Sequence, residues 1–218
     1  MIPVLIIGKS GAGKSASLRN LSAEKTAVIN VNGKALPFRN SLATMNPAQG
    51  SRDYQKVTAA IMRASKPVYV IDDAGYLITD EFMRSHSAQV KGDARFMQYN
   101  VMADHFYNLI TAIQDSPEPS RVYIMMHEDK NDFGDIKPKT IGKLLDNQVC
   151  IEGLFTICLR AMVVNGAHIF RTQSDGFDVA KSPMGMFDSE EIDNDLSAVD
   201  AAICEYYGIK EDEGSEKT

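Results

Sequence analysis

Residues Gly8-Lys9-Ser10-Gly11-Ala12-Gly13-Lys14-Ser15 fit the pattern G-x-x-x-x-G-K-[ST], and their flanks narrow the possible folds further. The apolar run Val4-Leu5-Ile6-Ile7 comes directly before them and a helical stretch, Ala16 to Leu21, directly after. Strand, glycine loop and helix in that order let backbone N–H groups turn inward around phosphates, with the positive end of the helix behind them. In such a loop Lys14 reaches the β- and γ-phosphates and the Ser15 hydroxyl ligates Mg²⁺. All eight residues, Gly8, Lys9, Ser10, Gly11, Ala12, Gly13, Lys14 and Ser15, are thus candidate nucleotide contacts. The bland alternative is a glycine-rich turn that binds nothing.

The rest of the chain reads as α/β. Apolar, β-branched runs recur at Thr26 to Val31, Val68 to Ile71, Val122 to Met126, Leu154 to Val164 and His168 to Thr172. Between the earlier ones lie helical spacings, Tyr54 to Ala64 and Phe96 to Ile113. Alternating strands and helices imply a largely parallel sheet with helices on both faces. The last two runs are joined only by Asn165, Gly166 and Ala167, so the sheet is expected to end in an antiparallel hairpin. Asn32 to Ser51 and Glu128 to Lys143 read as long loops, and loops of that length inside a domain are often functional.

Charge is divided unevenly. The chain has 23 Lys plus Arg against 29 Asp plus Glu, a net of −6 that argues at first against nucleic acid as a partner. Yet residues 188–218 hold eleven acids against Lys210 and Lys217, a balance of −9, which leaves residues 1–187 at +3. The end of that acidic stretch, 211–218, is charged enough to be expected disordered. Cys150, Cys158 and Cys204 show no metal-site spacing, and no apolar run approaches the ~18–20 residues that cross a bilayer. A reduced, cytoplasmic, non-membrane protein is expected.

A second acidic motif follows the run Val68-Tyr69-Val70-Ile71. Asp72 and Asp73 stand at the C-terminal edge of that strand, where open α/β sheets bind ligands. Asp72 is the candidate for the Mg²⁺ and Asp73 for polarising the attacking water; taken alone, the pair would read as a helix cap. Two other nucleotide chemistries stay open. Asp72-x-x-Gly75 matches a GTPase element, but Asp129-Lys130-Asn131-Asp132 misses the guanine motif at its first position. A small-molecule kinase would usually carry an Arg-rich lid, and no such cluster stands out.

The phosphate loop with Ser17-Leu18-Arg19-Asn20-Leu21, then Ile71-Asp72-Asp73, Thr140-Ile141-Gly142-Lys143-Leu144-Leu145 and Ala180-Lys181-Ser182-Pro183-Met184-Gly185-Met186-Phe187, resembles the RecA-like P-loop ATP-binding proteins encoded in bacteriophage replication and recombination modules. The likeness runs from Val4 to about Asp195. It implies a single RecA-like domain over residues 1–210 followed by the 211–218 tail. The implied activity is Mg²⁺-dependent hydrolysis of ATP by a homo-oligomer that works with single-stranded DNA, or with a single-stranded DNA binding or annealing protein, in the host cytoplasm. A nucleotide-gated switch or loader that does not hydrolyse is the alternative. The resemblance also implies a cation reaching the γ-phosphate from the neighbouring subunit, with Lys181 the candidate and Arg160 and Arg171 weaker ones. His127, ending its strand, would lie beside the γ-phosphate and sense it. His86, His105 and His168 show no partner pattern, and Met184, Met186 and Phe187 read as core plug or subunit contact. The Glu128–Lys143 loop would face DNA with Lys130, Lys137, Lys139 and Lys143. Four lysines imply a salt slope of about −3 on single strands, although Glu128, Asp129, Asp132 and Asp135 cancel their charge and Phe133 is the loop's one stacking platform.

Overall fold

The computed structural model describes residues 1–85, 93–131, 133–141 and 149–210, with backbone alone over 93–96. His86, Asp132, Gly142 to Leu145, the Phe96 side chain and the 211–218 tail lie outside the described residues. Along the chain run β1 (Ile2–Gly8), a 3₁₀ helix (Ser15–Asn20), β2 (Thr26–Asn30), β3 (Ala43–Met45), α1 (Tyr54–Met62) and β4 (Val68–Asp72). They are followed by α2 (Gly75–Ser85), α3 (Asp93–Asp115), β5 (Arg121–Lys130), β6 (Ile136–Pro138), β7 (Ile157–Val164), β8 (Ala167–Arg171), β9 (Glu191–Asp193) and α4 (Leu196–Tyr207).

The strands form one mixed sheet in the order β3-β2-β4-β5-β1-β7-β8-β9, with β6 paired to β5 alone. From β3 to β7 every neighbouring pair is parallel; β8 and β9 then run antiparallel. Asn165, at φ 52°, and Gly166, at φ 84°, make the tight β7–β8 turn. The two-residue period of the strands divides the core between the faces. Leu5, Ile7, Ile71, Ile124 and Met126 pack under α1, α2 and α3, whereas Val4, Ile6, Val70, Tyr123 and Met125 pack under Leu18, Leu196, Val199 and Ile203.

Four sequence readings change. The helix expected over Ala16–Leu21 is a six-residue 3₁₀ helix, Ser15–Asn20. Ser17 Oγ donates back to the Lys14 carbonyl at 2.6 Å, a local bond that competes with longer helix, and Leu21 is already extended. The strand expected from Leu154 starts at Ile157, because Glu152–Leu154 forms a 3₁₀ turn. Neither long loop is structureless, since β3 adds an edge to β2 and β6 folds back on an extended β5. Nor does the sheet end at β8. The acidic Glu191–Asp193 adds a further strand, with charged side chains outward on the edge, where they disfavour pairing with another chain.

Candidate nucleotide site

The phosphate loop grows out of β1 at the centre of the sheet. Gly8 sits so close to β7 that a Cβ there would lie 2.6 Å from the Ala161 carbonyl oxygen. Gly11 and Gly13 have φ of 80° and 98°, conformations that favour glycine, and the loop turns through them. Lys14 is 6% exposed, and its ammonium donates to the Gly8 and Lys9 carbonyls at 2.7 and 2.9 Å. Burial lowers its pKa, an effect that the charges of Asp73 and Asp72 oppose.

Ser15 Oγ donates to both oxygens of Asp72, at 2.9 and 3.0 Å. Burial, and next the charge of Asp73, push the Asp72 carboxyl above its ordinary pKa. Asp73 has φ 59°, a left-handed conformation that non-glycine residues adopt rarely. Its Oδ2 accepts from Asn32 Nδ2 at 2.8 Å and from Lys34 Nζ at 3.4 Å, and His127 Nε2 lies 3.4 Å from its Oδ1. His127 pairs in register with Gly8 and makes a T-shaped ring contact with Tyr76. Burial, then the charge of Lys14, lowers its pKa and favours the neutral imidazole.

Lys14, Ser15, Asp72, Asp73 and His127 line a cavity of about 360 Å³ with Ser10, Gly11, Gly13, Lys34 and His168 among its walls. Lys14, Ser15, Asp72, Asp73 and His127, scattered in the sequence, therefore meet at one place. Lys34 and His168 line the same cavity, Asn32 bonds Asp73 and Tyr76 touches His127, and sequence reasoning missed all four. Asn32 and Lys34 carried a usable signal, since they follow β2 at the same sheet edge as Asp72. His168 carried none. Its Nδ1 donates to the Ala12 carbonyl at 3.2 Å across 156 positions of chain. His105 likewise has partners, Glu81 at 2.7 Å and the Tyr54 ring.

The trans-cation candidates lie elsewhere. Lys181 exchanges both backbone hydrogen bonds with Cys158, which pairs with Leu5 three residues below Gly8. It is not among the cavity-lining residues. Arg160 is tied to Glu128 at 2.8 and 3.1 Å and to Asp178 at 3.2 Å, and Arg171 pairs with Asp175 and Glu191. Both arginines are thus committed within their own chain. Met186 and Phe187 pack into the core beside Leu18, whereas Met184 is 94% exposed.

The donor set suits a nucleotide with a hard divalent cation. A hydroxyl and a buried carboxylate within 3.0 Å of each other are the oxygen ligands Mg²⁺ takes from a protein when phosphates supply others. Among the described residues no group of three or more His, Cys, Asp or Glu is arranged to hold a metal by itself. Fold and site define a P-loop nucleotide-binding protein. The family model of the AAA domain matches residues 2–182, and the chain belongs to that family. Among curated proteins no match was found. No helix of the described residues is long and apolar enough to cross a membrane.

Proposed function

We propose that this protein is a Mg²⁺-dependent ATPase on a RecA-like core, of the kind found in phage recombination and replication modules. One observation carries the reading: Ser15 bonded to Asp72, beside the buried Lys14 and an Asp73 held in a left-handed conformation. Ser15 and Asp72 would hold Mg²⁺, which when bound offsets phosphate charge and orients the terminal phosphate. Lys14 would exchange its two carbonyl partners for phosphate oxygens. Asp73 would accept a proton from the attacking water, and neutral His127 would donate to the terminal phosphate. Asn32 and Lys34 orient Asp73 from the end of the neighbouring strand, β2.

Assembly into homo-oligomers gives Lys181 its role. Because it does not line its own cavity, any action on nucleotide would be on a neighbour's, in the manner of an arginine finger. Single-stranded DNA, or a protein that binds or anneals it, is the proposed partner of the β5–β6 turn. There Phe133 is 92% exposed for stacking, Glu128 is taken up by Arg160, and Asp129 lies 3.9 Å from Lys139. Lys130 and Lys137 supply the charge for phosphates.

Phosphate release measured with and without single-stranded DNA, for the native chain and for Lys14→Ala, tests the core reading. Release above the variant's level is expected, and its absence would leave a nucleotide-gated switch. Lys181→Ala should abolish release while ATP still binds; loss of binding as well would overturn the trans role. Retention of labelled DNA on filters at two salt concentrations, no higher than background, would remove DNA as a direct partner.

A further inference from the structure

We infer that β8 supplies the nucleoside half of the site, with His168 Nε2 accepting a hydrogen bond from the exocyclic amino group of the base. The inference rests on the nucleotide reading above, in which Ser15, Asp72, Asp73 and His127 mark the terminal-phosphate end. The sheet order runs β4, β5, β1, β7, β8, so the carboxylates and His168 lie on opposite sides of the phosphate loop. Four strand steps of about 4.8 Å separate β4 from β8, about 19 Å in all. A triphosphate seated on the loop with its terminus toward β4 must run its sugar and base toward β8. His168 is the cavity-lining side chain that β8 provides there.

The chemistry of that ring is set by the loop. A carbonyl oxygen can only accept, so the Nδ1 contact with Ala12 places the hydrogen on Nδ1 and leaves Nε2 of the neutral ring as an acceptor. An acceptor there favours a 6-amino purine and opposes a 6-oxo purine, which would present a second acceptor. The corner also holds unfilled hydrogen-bonding capacity. Asn194 is 4% exposed, and neither atom of its amide has a partner. It abuts the same glycine: a Cβ built on Gly13 would lie 2.9 Å from Asn194 Oδ1 and 2.9 Å from His168 Nδ1.

Titration calorimetry of the full chain with Mg²⁺ and ATP, inosine triphosphate or inorganic tripolyphosphate separates the possibilities. His168→Ala should weaken ATP about tenfold, the size of one lost polar contact, and leave tripolyphosphate within about twofold. The native chain should prefer ATP to inosine triphosphate, and His168→Ala should erase that preference. His168→Gln, which keeps an acceptor, should retain part of it. Equal losses for ATP and tripolyphosphate would overturn the inference and make His168 a brace of the loop. Unchanged ATP affinity would overturn it too. If the native chain bound tripolyphosphate no better than Lys14→Ala does, the nucleotide reading itself would fall, and this inference with it.

Discussion

At the foot of β5 the Arg121 guanidinium, 1% exposed, donates to Asp200 at 2.9 and 2.6 Å, and the Tyr123 hydroxyl donates to the same carboxylate at 2.5 Å. At the head of the same strand His127 stands among two adjacent carboxylates and a buried lysine. Both clusters are buried and charged, but they balance differently. At the foot, burial works against the guanidinium while the hydrogen bonds and charge of Asp200 hold it firmly protonated, and the net effect raises its pKa. At the head, Lys14 is pushed toward its neutral form, and so is Asp72, by burial and by Asp73. A cluster that satisfies itself joins elements together. One whose charges remain costly to keep has something to gain from a ligand that brings charge of its own.

Exchanging the damage between the two ends is the strongest way to break this contrast. Asp200→Ala takes the two-oxygen carboxylate partner from a buried guanidinium and should cost about 3–5 kcal/mol in urea unfolding. Lys14→Ala should leave the unfolding midpoint nearly unchanged yet reduce phosphate release by on the order of 10²–10³-fold. If both variants lost stability alike, the head would be as structural as the foot. Replacing the whole foot with Arg121→Met, Tyr123→Phe and Asp200→Leu should recover most of the loss, to within about 1–2 kcal/mol of the native chain, because no charge is then left unpaired.

A smaller effect, of opposite sign, is expected at the head. The Asp72 carboxyl binds its proton more tightly in the folded chain than in the unfolded one. Stability therefore falls as pH rises from the ordinary carboxylate value of about 4 through the raised folded value. Above that window the full penalty applies, so Asp72→Asn should raise the melting temperature at pH 7 and lose that advantage below about pH 4. It should do so while reducing hydrolysis, the usual exchange of stability against function. An unchanged or lower melting temperature at pH 7 would show that the bond from Ser15 outweighs the burial cost. Smallest of all, Lys34→Ala removes an ion pair whose lysine is 68% exposed, and the unfolding free energy from thermal melts should change by less than about 0.5 kcal/mol.

What could be read in advance follows the reach of each interaction along the chain. The phosphate loop and Asp72–Asp73 were legible because glycine spacing and a strand-ending acid pair are local patterns. The parallel sheet was legible because apolar runs alternate with helical spacing. The foot of β5 was not: Asp200 stands 79 positions from Arg121, and by composition it counted only as one more acid in a segment of −9. That segment proved to be partly architecture, since Asp195 caps α4 and accepts from Asn20, and Glu191 pairs with Arg171. His168 and Asn194 were hidden for the same reason, because only the antiparallel edge brings them to Gly13.

The short helix behind the phosphate loop is fastened at its far end. Arg19 donates to the Asn194 carbonyl at 2.6 Å and Asn20 to the Asp195 carboxylate at 2.6 Å, while Leu18 packs against Leu196 and Val199. All of these anchors lie beyond residue 182, where the family match stops. Trimming the gene to the matched segment would keep every residue of the nucleotide motifs and yet remove the buttress on which the loop's short helix rests. The expected product is an insoluble or nucleotide-blind fragment, so the matched segment is a poor guide to where this protein can be cut.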